Sequence, residues 1–196
     1  RLLQGDVGSG KTIVSFIAAL NTIKSKWQVS LMAPTEILAR QHYNLAKNIF
    51  KKSDVTVDLL TGKTEFKKRK NIKENLFNGK INLLIGTHSL FQKDITYKNL
   101  GLIIIDEQHK FGVKQRIELA KKGASECDIL LMSATPIPRT LVMTIYGDMD
   151  ISKINEKPKN RKEIKTYSKL ENKILEIINL QKMRLIKIIK FFGYAR

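Results

Sequence analysis

Short apolar runs alternate along this chain with longer segments in which apolar residues recur every three or four positions. The runs "RLLQ", "QVSLMA", "VTVDLL", "NLLIGT", "GLIIID" and "CDILLMSA" have the length and composition of strands. Between them, "KTIVSFIAALNTIK", "EILARQHYNLAKNIF" and "EFKKRKNIKENLF" carry the period of an amphipathic helix packed on a sheet. Such alternation is the mark of parallel strands joined by crossover helices. The expected fold is α/β: a mostly parallel, doubly wound sheet with helices on both faces, whose ligands sit beyond the carboxyl ends of the strands.

The alternation stops near residue 152. The segment "KINEKPKNRKEIK" (153–165) is polar, contains Pro158 and has no period, so it reads as a boundary. The expected organisation is a first domain over residues 1–152, a linker over 153–166, and a truncated further domain start over 167–196. One more helix fits "LENKILEIINLQKMRLIKIIKFFGYAR", which is too little sequence for a second domain.

A chain of 196 residues, 42% hydrophobic and 28% charged, is long and apolar enough to bury a core. Charge changes the picture, since 36 Lys+Arg against 18 Asp+Glu leave a surplus of +18. Such a surplus attracts polyanions, nucleic acid foremost. An AT-rich codon bias toward Lys accounts for the same number, so charge alone leaves both readings open. The single Cys127 cannot form an internal disulfide, and its strand-like surroundings suit a reducing cytoplasm. No run reaches the ~18 apolar residues of a membrane span, and no leader is recognised before the first motif. No His/Cys cluster has the spacing of a zinc site.

Gly5, Gly10, Lys11 and Thr12 fit G-x-x-x-x-G-K-[ST], with a short apolar run before and a helical period after. The glycines permit a tight loop whose backbone N–H groups wrap a phosphate chain at a helix N-terminus. Lys11 is suited to reach the β- and γ-phosphates, and the Thr12 hydroxyl to ligate magnesium. In "LIIIDEQH" an apolar strand ends in two adjacent carboxylates. Asp106 is the candidate magnesium partner, and Glu107 the group that orients or deprotonates an attacking water. Together the two motifs indicate nucleoside triphosphate hydrolysis. His42 and His88 read as polar strand-end or helix-surface residues, and the basic stretch "KKRKNIKENLFNGK" as an exposed helix face.

The segments "GDVGSGKT", "APTEILARQH", "DEQHKFGVKQR" and "SATPIPRT" occur in an order that resembles the motif series of superfamily 2 helicases. With "YGDMDIS" at 146–152, the series more narrowly resembles the RecG family of branch-migrating DNA helicases. The resemblance covers about residues 1–166. It implies a RecA-like P-loop domain in which Gly5, Asp6, Val7, Gly8, Ser9, Gly10, Lys11 and Thr12 bind ATP. It implies magnesium at Thr12 and Asp106, and an acidic box completed by Gln108 and His109. Ser133, Ala134 and Thr135 would couple the nucleotide state to movement, while Thr35, Gln41, Thr61, Gly62 and Thr87 would line a nucleic-acid track. Lys110 departs from the family's usual Arg and loses its planar fork. Arg139 reads as a solvated helix residue or a phosphate contact.

The family's motor needs a second domain and a DNA-binding wedge domain, so the expected partner is branched DNA, a fork or Holliday junction, in the bacterial cytoplasm. On this view "RLLQ" continues from an upstream portion. The tail "FFGYAR" read two bases on is compatible with Phe-Trp-Val-Cys-Pro, a frameshifted start of the second motor domain. A transcription-repair coupling translocase and a non-enzymatic DNA-binding domain are the alternatives.

Overall fold

All six apolar runs form strands. A computed structural model describes residues 1–107, 127–135, 149–156 and 178–179. The chain divides into two units, Arg1–Lys159 and Asn160–Arg196, and everything below belongs to the first. In order, the elements are β1 (Leu2–Gly5), α1 (Lys11–Lys24), β2 (Gln28–Met32), α2 (Glu36–Ile49), β3 (Val57–Leu60), α3 (Phe66–Phe77), β4 (Leu83–Gly86), β5 (Leu100–Ile105), β6 (Asp128–Ser133) and β7 (Ile151–Ile154). Short 3₁₀ turns at Phe50–Lys52 and His88–Phe91 complete the set among the described residues.

The helix ends follow from local chemistry. α1 starts at Gly10, whose φ of 94° lies in the left-handed region open to glycine. It ends when Lys26 N–H donates to Ile23 O and Trp27 N–H to Thr22 O, the paired bonds of a Schellman stop. Lys26 holds the left-handed position at φ 69°. α3 stops in the same way, with Gly79 in that position at φ 76°. The Thr35 hydroxyl caps α2 by accepting from Leu38 N–H at 3.3 Å.

The strands lie in the order β3-β4-β2-β5-β6-β1-β7, and every described pairing is parallel. Successive strand residues point to opposite faces, and the core divides accordingly. Leu2, Leu84, Ile103 and Leu131 pack in one cluster with Ile72 and Leu76 of α3. Leu3, Leu83, Ile104 and Met132 pack in the other with Phe16 and Ala19 of α1 and Ala39 and Ala46 of α2. Each buried Leu or Ile is worth about 1.5–3 kcal/mol. The predicted doubly wound sheet is therefore present, with its helices on both faces.

β7 is the element the sequence pattern did not announce. Its Leu2↔Ile151 to Gly5↔Ile154 register against β1 carries the sheet through residue 152, so Lys153 and Ile154 belong to the sheet. The exposed basic face expected on α3 is seen at Lys67, Lys68 and Lys70. Lys73 and Arg69 instead pair with Asp94 and hold its carboxyl below the usual range, the Lys73 hydrogen bond first. Among the described residues no helix is long and apolar enough to cross a membrane.

Candidate nucleotide and nucleic-acid site

Strand order puts the two motifs on one rim. β6 lies between β1 and β5, so the loop after Gly5 and the Asp106–Glu107 pair leave the sheet on either side of Ser133. At ~4.8 Å per strand they are about 10 Å apart.

The loop is shaped for an anion. Gly8 and Gly10 sit at φ 79° and 94°. A Cβ on Gly5 would lie 2.5 Å from Ser9 Oγ and 3.1 Å from Ile154 Cβ, so only glycine lets the loop close there. Lys11 Nζ donates to Gly5 O at 2.8 Å and Asp6 O at 3.0 Å, drawing the charge over the loop. The first turn of α1 has no side-chain cap and no acidic residue. A helix's opening N–H groups lack intrahelical partners and carry the positive end of its dipole. Among the described residues, Ser9 Oγ is the buried side-chain polar atom without a hydrogen-bond partner. Glycine cradle, unpartnered hydroxyl, open N-terminus and ammonium all suit a phosphate chain. Beside the loop, a cleft of about 310 Å³ is lined by Gln4, Gly5, Asp6, Ala134, Lys153, Ile154 and Asn155.

Asp106 is fixed from two sides. Its N–H donates to Met32 O at 2.9 Å. Its Oδ2 lies 2.9 Å from His42 Nε2, with the two side chains only 13% and 9% exposed. Glu107 adopts φ 49°, a left-handed backbone rare for a non-glycine residue and frequent at functional positions. Thr12 and Asp106 supply the hard oxygen donors that suit magnesium. The Ser133 hydroxyl is 3.0 Å from Thr135 Oγ1 and accepts from Thr135 N–H at 3.2 Å, closing a local turn around Ala134.

The residues expected to line a nucleic-acid track separate into two groups. Thr35, Gln41 and Gly62 are exposed. Thr61 and Thr87 are buried and hold their loops. Thr61 N–H donates to Thr64 Oγ1 at 2.9 Å. Thr87 Oγ1 meets Ser89 Oγ at 3.2 Å, and Ser89 donates to Leu60 O.

His42 departs from the sequence expectation. It is not a helix-surface residue but a buried one, 7% exposed, because α2 turns its side chain inward beside Ala39 and Ala46 onto the sheet. Its spacing from those alanines, three and four residues, was the available signal. His88 is exposed as expected. Cys127 is half-buried just before β6, and burial pushes its thiol up to about 11. Gln108, His109, Lys110, Arg139 and most of residues 157–196 lie outside the described residues.

Comparison with known proteins agrees with this geometry. Residues 1–144 match the DEAD/DEAH box helicase family. Over 167 residues the chain is 53% identical to the ATP-dependent DNA helicase RecG of Bacillus subtilis, covering 85% of this chain and 24% of that protein. Over 187 residues it is 48% identical to RecG of Thermotoga maritima, covering 94% and 24%. The chain thus spans about a quarter of the length of these relatives. A solved structure of RecG bound to a three-way DNA junction superposes with a TM-score of 0.76 at 42% identity, covering 95% of this chain and 25% of that one. The Hef helicase domain of Pyrococcus furiosus, at 20% identity and a TM-score of 0.61 over 80% of this chain and 35% of that one, shares the fold.

Proposed function

The chain belongs to the DEAD/DEAH box helicase family, and from that premise we propose that it serves as the first motor domain of a RecG-type ATP-dependent DNA helicase acting on branched DNA. The observation that carries this reading is the shared rim, where the phosphate-shaped loop and the Asp106–Glu107 pair flank Ser133 of β6. Gly5 to Thr12 wrap the ATP phosphates, and Lys11 exchanges its loop carbonyls for phosphate oxygens. Thr12 and Asp106 would hold magnesium, which when bound would supply positive charge to offset that of the phosphates. Glu107 orients or deprotonates the attacking water, and Gln108 and His109 complete the box and help link the nucleotide state to movement. Ser133, Ala134 and Thr135 pass the state of the rim onward, while Thr35, Gln41 and Gly62 meet the DNA backbone and Thr61 and Thr87 hold their loops. The setting is the bacterial cytoplasm.

Full turnover draws on a second motor domain, whose arginines contribute roughly a thousandfold or more in rate, and on a wedge domain at the branch. Of the expected linker 153–166, Lys153 and Ile154 belong to β7, so the link toward a second motor domain starts after Ile154. The chain alone therefore binds nucleotide weakly and hydrolyses it slowly. The test is a chimera in which residues 1–152 replace the matching segment of Bacillus subtilis RecG. Expected is ATP hydrolysis stimulated by a three-way DNA junction and abolished by Lys11→Ala. Hydrolysis indifferent to DNA, or to Lys11→Ala, overturns the proposal.

A further inference from the structure

We propose that His42 is a positioning residue of the metal site, its Nε2–H holding the Asp106 carboxylate in the orientation that receives the magnesium ion. The inference deepens the reading of Asp106 given above and rests on it. An ionised carboxylate only accepts hydrogen bonds, so in the 2.9 Å contact the hydrogen belongs to Nε2 of His42. With Oδ2 engaged, Oδ1 is the oxygen available to a cation. The Asp106 backbone is already pinned by its N–H bond to Met32 O, which leaves rotation of the side chain as its remaining freedom. His42 removes that freedom.

His42 is itself held firmly. It sits on the inner face of α2, between Ala39 and Ala46, both 0% exposed, so the helix rests close against the sheet and the imidazole has little room to move. An apolar residue would fill this helix-to-sheet contact as well. A polar ring is explained there by the carboxylate it meets. Hydrogen-bond partners behind a metal ligand orient it, and losing one typically costs 10- to 100-fold in metal affinity. α2 also begins at the Thr35 cap and carries exposed Gln41 beside His42, so one rigid helix joins two candidate DNA contacts to the metal ligand.

The experiment measures Mn²⁺ binding to this chain in the presence of saturating ADP, by electron paramagnetic resonance, alongside ADP affinity in EDTA. His42→Leu is expected to weaken Mn²⁺ binding about tenfold while metal-free ADP affinity stays within twofold. His42→Gln, whose amide nitrogen can stand near the Nε2 position, is expected to recover to within about threefold of wild type. Should His42→Leu fail to fold, His42→Asn replaces it: its shorter amide cannot reach Asp106, and the same tenfold loss is expected. Unchanged Mn²⁺ affinity in these variants, or an equal loss of Mn²⁺ and metal-free ADP binding, overturns the role of His42 alone. A wild-type chain that binds ADP but takes up no Mn²⁺, or binds neither, overturns the reading of Asp106 as well.

Discussion

Gln28 and Ser9 are polar residues at opposite ends of one parallel sheet, and they spend their polar groups differently. At the amino end, Gln28 is 2% exposed and fully committed. Its Nε2 donates to Leu76 O and Ile81 O, and its Oε1 accepts from the N–H groups of Lys98 and Asn99. One side chain thus ties β2 to the end of α3 and to the chain entering β5. At the carboxyl end, Ser9 Oγ is buried without a partner, the α1 N-terminus is uncapped, and Glu107 holds a left-handed backbone. A satisfied buried polar network rigidifies a fold, whereas a buried group left unmet costs free energy. The amino end is where stability is secured, and the carboxyl end keeps groups ready for a ligand.

If that division is correct, lesions at the two ends have separable consequences. The largest effect is expected for Gln28→Leu, which strands the Ile81 carbonyl and two N–H groups and leaves Leu76 O with its bond from Gly79 N–H. At about 1 kcal/mol for each stranded group, it should cost roughly 3 kcal/mol and lower the melting temperature by roughly 10 °C. Calorimetry would show the drop, while nucleotide affinity of the folded fraction stays unchanged. A comparable loss of affinity would erase the distinction between the ends.

Lys11→Ala should do the reverse. Losing a charged contact of roughly 2–3 kcal/mol lowers nucleotide affinity by about a hundredfold, measured by fluorescent-ATP titration, with unfolding free energy within about 1 kcal/mol of wild type. A large fall in stability with little change in affinity would make Lys11 a structural pin of the loop.

Alkali provides a milder probe of the amino end. Burial raises Tyr97, whose hydroxyl donates to Ser30 Oγ at 3.0 Å, above its ordinary 10.0, and raises Cys127 from 9.0 to about 11. Both groups ionise sooner in the unfolded chain, so stability is full below pH 9 and declines through the window from 9 to about 11, and further as Tyr97 is strained. Urea midpoints at pH 8, 9.5 and 10.5 check this, and Cys127→Ser should flatten the first part of the decline. A flat profile for wild type would mean that neither group is sequestered.

The smallest effect is a gain. Lys26→Gly should stabilise the chain by about 1 kcal/mol, because the left-handed position that closes α1 carries a side chain there, whereas α3 closes on Gly79. Equilibrium denaturation would detect it, and a loss of stability would show that the Lys26 side chain contributes more than its backbone costs.

Much of this architecture was legible because its signals are local. The period of "KTIVSFIAALNTIK" delivered α1 with both ends in place. The phosphate loop was readable because left-handed turns at Gly8 and Gly10 demand glycine. β7 escaped notice because "ISKI" is short and half polar and, among the described residues, pairs with β1 alone, so no apolar run marks it. Thr61 and Thr87 were expected along a nucleic-acid track, and their burial was not legible because it arises just beyond the paired ends of β3 and β4, two segments distant in the chain.

By itself, then, the sequence determined the helices, six of the strands, the loop after β1 and the carboxylates after β5, since hydrophobic period, glycine conformation and turn chemistry act within a few residues. Only the tertiary structure decided which strands stand side by side. That order depends on hydrogen bonds and burial between segments far apart in the chain. It set β6 between the two motifs, extended the sheet to Ile154, and brought His42 of α2 against Asp106, 64 residues away.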